Sequence, residues 1–305
     1  MANNDKYLIV VAGPTAIGKS DLSVSLAKTF DCEIISADSR QFFKEMSIGT
    51  AKPTINEMQG VPHHFVDQLS IETPYNVGQF EREVLMTLDG LFKKKSVAIM
   101  VGGSGLYINA VLYGMDDLPA SDPAVRADLE AKYREFGLSW LQEKLKSLDP
   151  EYYATAEINN TNRILRAIEV SMVSGIPYSQ LRTHKKAQRD FKVIFIALNS
   201  DRENLYERIN QRVDAMMKKG LLNEVQNLLP YKSNNALNTV GYKELFEYFQ
   251  GTSSIENAIA MIKQNSRRYA KRQLTWFKKN QEAKWFEPEQ KNAIVDYINQ
   301  CMRNK

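Results

Sequence analysis

Cysteine is nearly absent from this chain. Cys32 and Cys301 stand far apart in its 305 residues and match no metal-ligand spacing. That leaves no basis for a cysteine-built metal centre, and a reducing, cytoplasmic setting is expected. Long apolar runs are lacking as well. No stretch approaches the roughly 20 residues needed to cross a bilayer, so no membrane partner is expected. The start Met1-Ala2-Asn3-Asn4-Asp5-Lys6 has none of the apolar core of a signal peptide. Adjacent residues point to different sides of any regular element, so His63 and His64 make a poor metal pair and read as ordinary hydrogen-bonding loop residues. Internal repeats and low-complexity segments are missing. The net charge of +4 is too mild to argue for nucleic acid by itself. With 43% hydrophobic and 25% charged residues, the chain is expected to bury a large core, in one large domain or two smaller ones.

What is present organises around one stretch. Gly13-Pro14-Thr15-Ala16-Ile17-Gly18-Lys19-Ser20 fits the phosphate-loop pattern G-x-x-x-x-G-K-[ST] in full. The apolar, β-branched run Tyr7–Ala12 before it reads as a buried strand. Asp21–Phe30 after it, with Leu22, Leu26 and Ala27 at helical spacing, reads as a helix. Strand, glycine loop and helix aim backbone N–H groups and a helix N-terminus at an anion. Lys19 adds a point charge, and the Ser20 hydroxyl is placed to bind Mg2+. The pattern therefore predicts a di- or triphosphate site.

A second buried strand is expected over Cys32–Ala37, ending in Asp38-Ser39-Arg40-Gln41. Ligands of an open parallel sheet sit beyond the carboxyl ends of its strands, which puts Asp38 on the edge that carries the phosphate loop. Residues 49–53 and 61–67 read as loops, and Phe80–Phe92 as an amphipathic helix. Ser96–Val101 reads as a third strand closed by Gly102-Gly103-Ser104-Gly105, where glycine permits close backbone approach. A triphosphatase usually carries a metal-binding aspartate after such a strand, so its absence counts against ATP hydrolysis. From about Asp116 to Arg189 helical patterns replace strands. Asp122-Pro123 marks a helix start, Thr161–Met172 is a helix with Arg163 and Arg166 on one face, and Arg182–Lys186 with Arg189 forms a basic connection. The expected organisation is an α/β core, 1–115 and 191–305, interrupted by a helical insertion, 116–190. Phe191–Leu198 gives a fourth strand, and Asp201 caps a helix that places Arg208 and Arg212 on one face, suited to phosphate. The last long helix is expected from Ser253 or Ser254, with Glu256 completing a capping box. Between Lys263 and Lys279 it carries seven cations, no acid, and Tyr269, Trp276 and Phe277 interleaved, the footprint of a polyanion site.

Taken together, these stretches resemble the tRNA dimethylallyltransferase (tRNA isopentenyltransferase) family. The resemblance rests on the phosphate loop with Ile35–Ser39, Ile48–Pro53, Val101–Tyr107, Asn162–Arg166, Val240–Tyr242 and Ala270–Trp276, in that order and over nearly the whole chain. It implies a P-loop NTPase-like parallel sheet flanked by helices, with an all-helical insertion domain that contacts tRNA. It further implies transfer of a dimethylallyl group from dimethylallyl diphosphate to N6 of the adenosine 3′-adjacent to the anticodon; nothing in the sequence suggests an obligate dimer, and a monomer is expected. Gly13, Pro14, Thr15, Ala16, Ile17, Gly18, Lys19, Ser20 and Arg212 would hold the diphosphate, with Mg2+ at Ser20. Asp38, Ser104 and Lys19 would be catalytic. Asp38, Ser39, Arg40, Gln41, Ser104, Arg126, Asn162, Arg163 and Arg166 would meet the anticodon loop, and His63 belongs to a Pro-His pair that the family shares. Two positions depart from the pattern: Ser104 stands where the family usually has threonine, and Phe43 where many members carry tyrosine. The zinc-finger extension of eukaryotic members is not in this sequence, which implies the bacterial type. Two rival readings predict other outcomes. A nucleotide-type kinase would consume ATP, and a non-catalytic RNA-binding protein would carry a relic loop, a reading that intact Lys19, Ser20 and Asp38 oppose.

Overall fold

The apolar run Tyr7–Ala12 has no room for solvent on either face. All six of its residues are buried, as a strand in the middle of a parallel sheet requires. A computed structural model describes residues 5–183 and 185–304; the start Met1–Asn4 and His184 of the basic connection lie outside them. Two compact units emerge, one of residues 1–112 with 188–305 and the other of residues 113–187.

In the first unit the elements run β1 (Tyr7–Ala12), α1 (Lys19–Thr29), β2 (Ile34–Ser36), α2 (Ile55–Met58), β3 (His63–His64), α3 (Val77–Phe92), β4 (Val97–Gly102) and α4 (Gly105–Tyr113). The second unit supplies α5 (Pro123–Leu148), α6 (Pro150–Thr155), α7 (Thr161–Ser174) and α8 (Tyr178–Leu181). The first unit then resumes with β5 (Lys192–Leu198), α9 (Arg202–Lys218), α10 (Leu221–Asn227), α11 (Tyr242–Phe249), α12 (Ile255–Phe277), β6 (Lys284–Phe286) and α13 (Lys291–Arg303). Its six strands lie in the order β3-β2-β4-β1-β5-β6, every pair parallel. This is the P-loop NTPase-like sheet flanked by helices. β1 is registered residue for residue between β4 and β5, which brings the carboxyl ends of β1, β2 and β4 to one edge.

The core between sheet and helices is aliphatic: Ile9, Val11, Leu26, Ile99, Ile196 and Ile209 are essentially inaccessible to solvent. A separate cluster under α9–α12 packs Phe43, Met46, Leu221, Leu237, Tyr242 and Ile262. The helical unit has its own core of Leu129, Leu141, Leu145, Ile164, Leu165 and Ile168. Asp122 caps α5 by accepting the N–H groups of Ala124 and Val125. Among the described residues no helix is long and apolar enough to cross a membrane.

Several local expectations are corrected. His63 and His64 form a two-residue edge strand against Ile34–Ile35 instead of a loop, because the partner strand supplies the pairing that local sequence does not signal. Ser254 caps α12 through the N–H of Asn257, so Glu256 completes no capping box. Arg189 is no free cation. It bonds Glu81 at 2.7 Å and the carbonyls of Val111 and Ala110 at 2.8 and 3.0 Å, tying α3 to α4. The elements β6 and α13 went unread in the sequence.

Candidate functional site

Two adjoining cavities open at the carboxyl edge of the sheet, both within the first unit. One, of about 430 Å3, is lined by the phosphate loop from Thr15 to Asp21, by Lys52 and by Arg208. The other, of about 470 Å3, is lined by Ser39, Arg40, Lys243, Asn265 and Arg272. Thr15, Asp38, Arg212, Met216 and Tyr269 line both, so these side chains form the neck between them.

The loop shapes the first cavity because α1 begins at Lys19 and its first turn has N–H groups without intrahelical partners. Ala16 holds a left-handed φ of 64°, a strain that a side chain rarely adopts and that clusters at ligand-gripping turns. Ile17 points into the core and contributes only backbone to the cradle. Lys19 donates through Nζ to the carbonyl of Pro14 at 2.7 Å. Burial pushes its pKa down to about 7, helped by the Arg212 guanidinium and opposed by Asp38. Arg212, on α9, reaches the carbonyl of Thr50 at 3.4 Å, and burial lowers its pKa too, against the pull of Asp38. Two cations thus face one cavity with, among the described residues, only carbonyls as hydrogen-bond partners, an arrangement that favours an entering polyanion.

Asp38 follows β2 directly. Its Oδ1 accepts the N–H of Arg40 at 3.0 Å, and its carboxylate lies on both cavity walls. Ser104, at the start of α4, accepts the N–H of Ser39 at 3.1 Å and shares a hydrogen bond with the Tyr269 hydroxyl. Burial pushes the Tyr269 phenol up to about 12, with Asp38 adding to the effect. Gln41 is fully engaged with protein: it accepts Ser36 Oγ at 3.1 Å and donates to the carbonyls of Thr50 and Ala51 at 3.3 Å. Phe43 is buried, and its carbonyl accepts Lys52 Nζ at 2.7 Å, so its ring serves packing.

Sequence reasoning missed Gln273 as a site residue. From α12 its Oε1 accepts the N–H of Thr15 at 2.9 Å while its Nε2 donates to the carbonyl of Gly103 at 3.0 Å. It therefore staples the phosphate loop to the turn after β4, and the Thr15 amide is taken. A Cβ on Gly103 would lie 2.1 Å from Gln273 Nε2, so the close approach that this glycine permits is that of a protein side chain. The signal available was the i, i+4 spacing of Tyr269 and Gln273, which puts an aromatic and an amide on one face of a basic helix.

The basic stripe of α12 is less uniform than its sequence. Lys263 pairs with Asp214 at 2.6 Å and Arg267 donates to Asn210 at 2.6 Å, while Arg268, Lys271, Arg272, Lys278 and Lys279 are exposed. Of the interleaved aromatics, Phe277 is core and Trp276 packs on Gly105; Tyr269 alone reaches the cavities.

The remaining expected residues lie in the helical unit. Arg126 pairs with Glu130 at 2.7 Å and with Glu169 at 3.8 Å. Arg163 pairs with Glu157 at 3.0 Å, and Arg166 with Glu169 at 3.2 Å and with the carbonyl of Pro119 at 2.6 Å. Asn162 is exposed on the rim of a shallow surface depression formed by residues 156–162. His63 bonds the carbonyl of Val61 at 2.8 Å and His64 bonds Glu33 at 2.6 Å, so both are occupied at the sheet edge. Among the described residues no group of three His, Cys, Asp or Glu is placed to hold a metal. A lone hydroxyl at Ser20 suits Mg2+, which keeps several waters and is carried mainly by phosphate oxygens.

A family model described as IPP transferase matches residues 41–280. The chain is 54% identical over 293 residues to the tRNA dimethylallyltransferase of Christiangramia forsetii, covering 96% of this chain and 97% of that one. It is also similar to the crystal structure of the full-length tRNA isopentenylpyrophosphate transferase of Bacillus halodurans, with a TM-score of 0.72, 35% identity, and coverage of 97% and 96% of the two chains. A eukaryotic dimethylallyltransferase acting on tRNA matches with a TM-score of 0.74 and 28% identity, over 90% of this chain and 70% of that one.

Proposed function

The chain belongs to the tRNA dimethylallyltransferase family, and on that premise we propose that it transfers the dimethylallyl group of dimethylallyl diphosphate to N6 of the adenosine 3′-adjacent to the anticodon of certain tRNAs. The products are N6-isopentenyladenosine and diphosphate. The observation that carries this reading is Asp38 on the neck between two cavities, one walled by a phosphate loop and the other by polar and basic side chains.

The reaction places three demands on these residues. The bond from the allylic carbon to the diphosphate oxygen breaks, and both electrons leave with the diphosphate. Lys19, Arg212 and the first-turn N–H groups of the loop are fixed positive partners for that growing charge. Ser20 would hold Mg2+, which would supply further positive charge to the departing diphosphate. A new bond forms from N6 to the allylic carbon, and N6 loses a proton to Asp38, which points at the neck where the two substrates meet. The adenine must leave its stack to get there, at a cost of a few kcal/mol that contacts to the loop offset. Ser39, Arg40, Gln41 and Ser104 shape the entry, with Gln41 acting through the backbone it ties. The Ser104 hydroxyl remains competent without the methyl that threonine would bring. Asn162 and Arg163 contact the RNA from the helical unit, while Arg126 and Arg166, tied to the buried Glu169, brace the helices that present them. The enzyme acts as a monomer in the cytoplasm.

The test is direct. Incubation with unmodified tRNA, labelled dimethylallyl diphosphate and Mg2+ transfers label to the RNA. Label that stays out of RNA, with ADP formed from parallel ATP, would establish the kinase reading instead.

A further inference from the structure

We propose that Glu224 is a positioning residue for the diphosphate half of the site, acting through the turn at residues 47–50. Glu224 lies on α10 and lines neither cavity at the neck. Its Oε2 accepts the N–H groups of Ser47 and Ile48 at 3.0 and 2.7 Å, and its Oε1 accepts the N–H of Gly49 at 3.0 Å and the Tyr242 hydroxyl at 2.6 Å. Three successive backbone N–H groups converging on one carboxylate form an anion nest, here filled by the protein's own charge. Such charge-assisted bonds are roughly twice as strong as neutral ones. The Tyr242 ring closes over the turn so tightly that a Cβ on Gly49 would lie 2.5 Å from it. Burial and the Glu224 carboxylate together push the Tyr242 phenol up, so it stays a donor throughout the working pH range.

The turn hands this constraint to the site. The next carbonyl, that of Thr50, accepts Arg212 Nη2 at 3.4 Å and Gln41 Nε2 at 3.3 Å. Ser47, Ile48, Ala51 and Lys52 line the phosphate-loop cavity itself. Glu224 therefore sets the turn, the turn sets the Thr50 carbonyl, and that carbonyl aims the guanidinium opposite Lys19. In sequence Glu224 is 175 positions from Gly49 and looks like any solvated helix carboxylate.

The experiment reads affinity for inorganic diphosphate with Mg2+ by calorimetry, alongside steady-state kinetics and thermal melting. Glu224→Gln offers one acceptor oxygen to four donors and turns an NH2 toward N–H groups. Its diphosphate Kd and its KM for dimethylallyl diphosphate should rise roughly tenfold, with KM for tRNA within about twofold of the parent. Tyr242→Phe removes one of the four donors and should weaken diphosphate binding by roughly two- to threefold. Glu224→Asp, which keeps the charge, should fall between the parent and Glu224→Gln. Unchanged diphosphate affinity in a folded Glu224→Gln overturns the proposal, as does an equal loss toward both substrates. If Glu224→Gln fails to fold, unchanged affinity in Tyr242→Phe overturns it and the two- to threefold loss supports it. The inference rests on the diphosphate assignment above. Failure of the parent protein to bind diphosphate sinks that assignment, whereas equal binding by parent and variant sinks the positioning role alone.

Discussion

The cations of the two units differ in what they face. Lys19 and Arg212 of the first unit end on the carbonyls of Pro14 and Thr50, and burial pulls both pKa values down. Arg126, Arg163 and Arg166 of the helical unit each end on a carboxylate, two of them on Glu169, whose side chain is 1% exposed. In sequence Lys19 belongs to the phosphate loop, and the other four are arginines in helical stretches with no sign of what they face. The structure separates cations left electrostatically unsatisfied, which gain by admitting an anion, from cations already matched, which gain little. A phosphate arriving at the second set must displace or share a carboxylate; one arriving at the first set displaces only a neutral carbonyl.

The sharpest test removes the Asp38 carboxylate, which favours the charged form of both members of the unsatisfied pair. Asp38→Ala takes away the proposed proton acceptor and also a charge that favours the protonated forms of both Lys19 and Arg212. Turnover should fall by roughly 100- to 10,000-fold, measured as label transferred to tRNA in single-turnover conditions. A loss below tenfold would remove Asp38 from the chemistry. The counterpart in the helical unit is Glu169→Gln. Besides the two arginines, Glu169 accepts the N–H of Asp122 at 3.1 Å and bonds Ser121 Oγ. Breaking such a buried network costs roughly 3–5 kcal/mol, read by urea denaturation, with the loss confined to the helical unit. A stability change under about 1 kcal/mol would show that these arginines are not held as the comparison requires.

A third test uses pH. Lys19 in the free protein titrates near 7, well below the unfolded value, because the neutral form is favoured in the cavity. A bound diphosphate favours the charged form and raises that pKa. Binding above pH 7 therefore takes up a proton, and donor affinity should fall by up to about tenfold per pH unit as pH rises. Below pH 7 the group is already charged and adds no slope. Lys19→Met should bind the donor weakly at every pH and lose the slope; a slope that persists would assign it to another group.

How much of this was legible in sequence follows from how local each feature is. The phosphate loop, β1 and α1 are contiguous, so pattern and spacing carried them, and the carboxyl-edge rule placed Asp38 beside the loop. The caps Asp122 and Asp201 are equally local. Features assembled from distant segments were not legible. Gln273 meets Thr15 across 258 positions, and no periodicity marks a glutamine as a staple. Arg189 read as part of a basic connection because its partners Glu81, Ala110 and Val111 come from elsewhere. The α12 stripe read as wholly unpaired because Asp214 lies on another helix. The strand β6 has three residues, too few for alternation to register, although Ile294 and Ile298 of α13 did carry helical spacing.

The smallest expected effect probes the comparison where it is weakest. Arg163 is the most exposed of the three arginines, at 51%, and its partner Glu157 is 69% exposed. Water screens such a pair, and exposed ion pairs contribute only about 0–1 kcal/mol. Arg163 can therefore exchange Glu157 for an RNA phosphate at little cost, which Arg166, anchored to Glu169 and Pro119, cannot. Arg163→Ala should change stability by less than about 0.5 kcal/mol. It should weaken tRNA binding modestly and reduce the slope of log affinity against log salt by about one unit. Affinity for dimethylallyl diphosphate should stay as it was. Arg166→Ala should show the reverse balance, with more stability lost and the salt slope nearly kept. Equal salt slopes in the two variants would mean that the carboxylate partners do not decide which arginine meets the RNA.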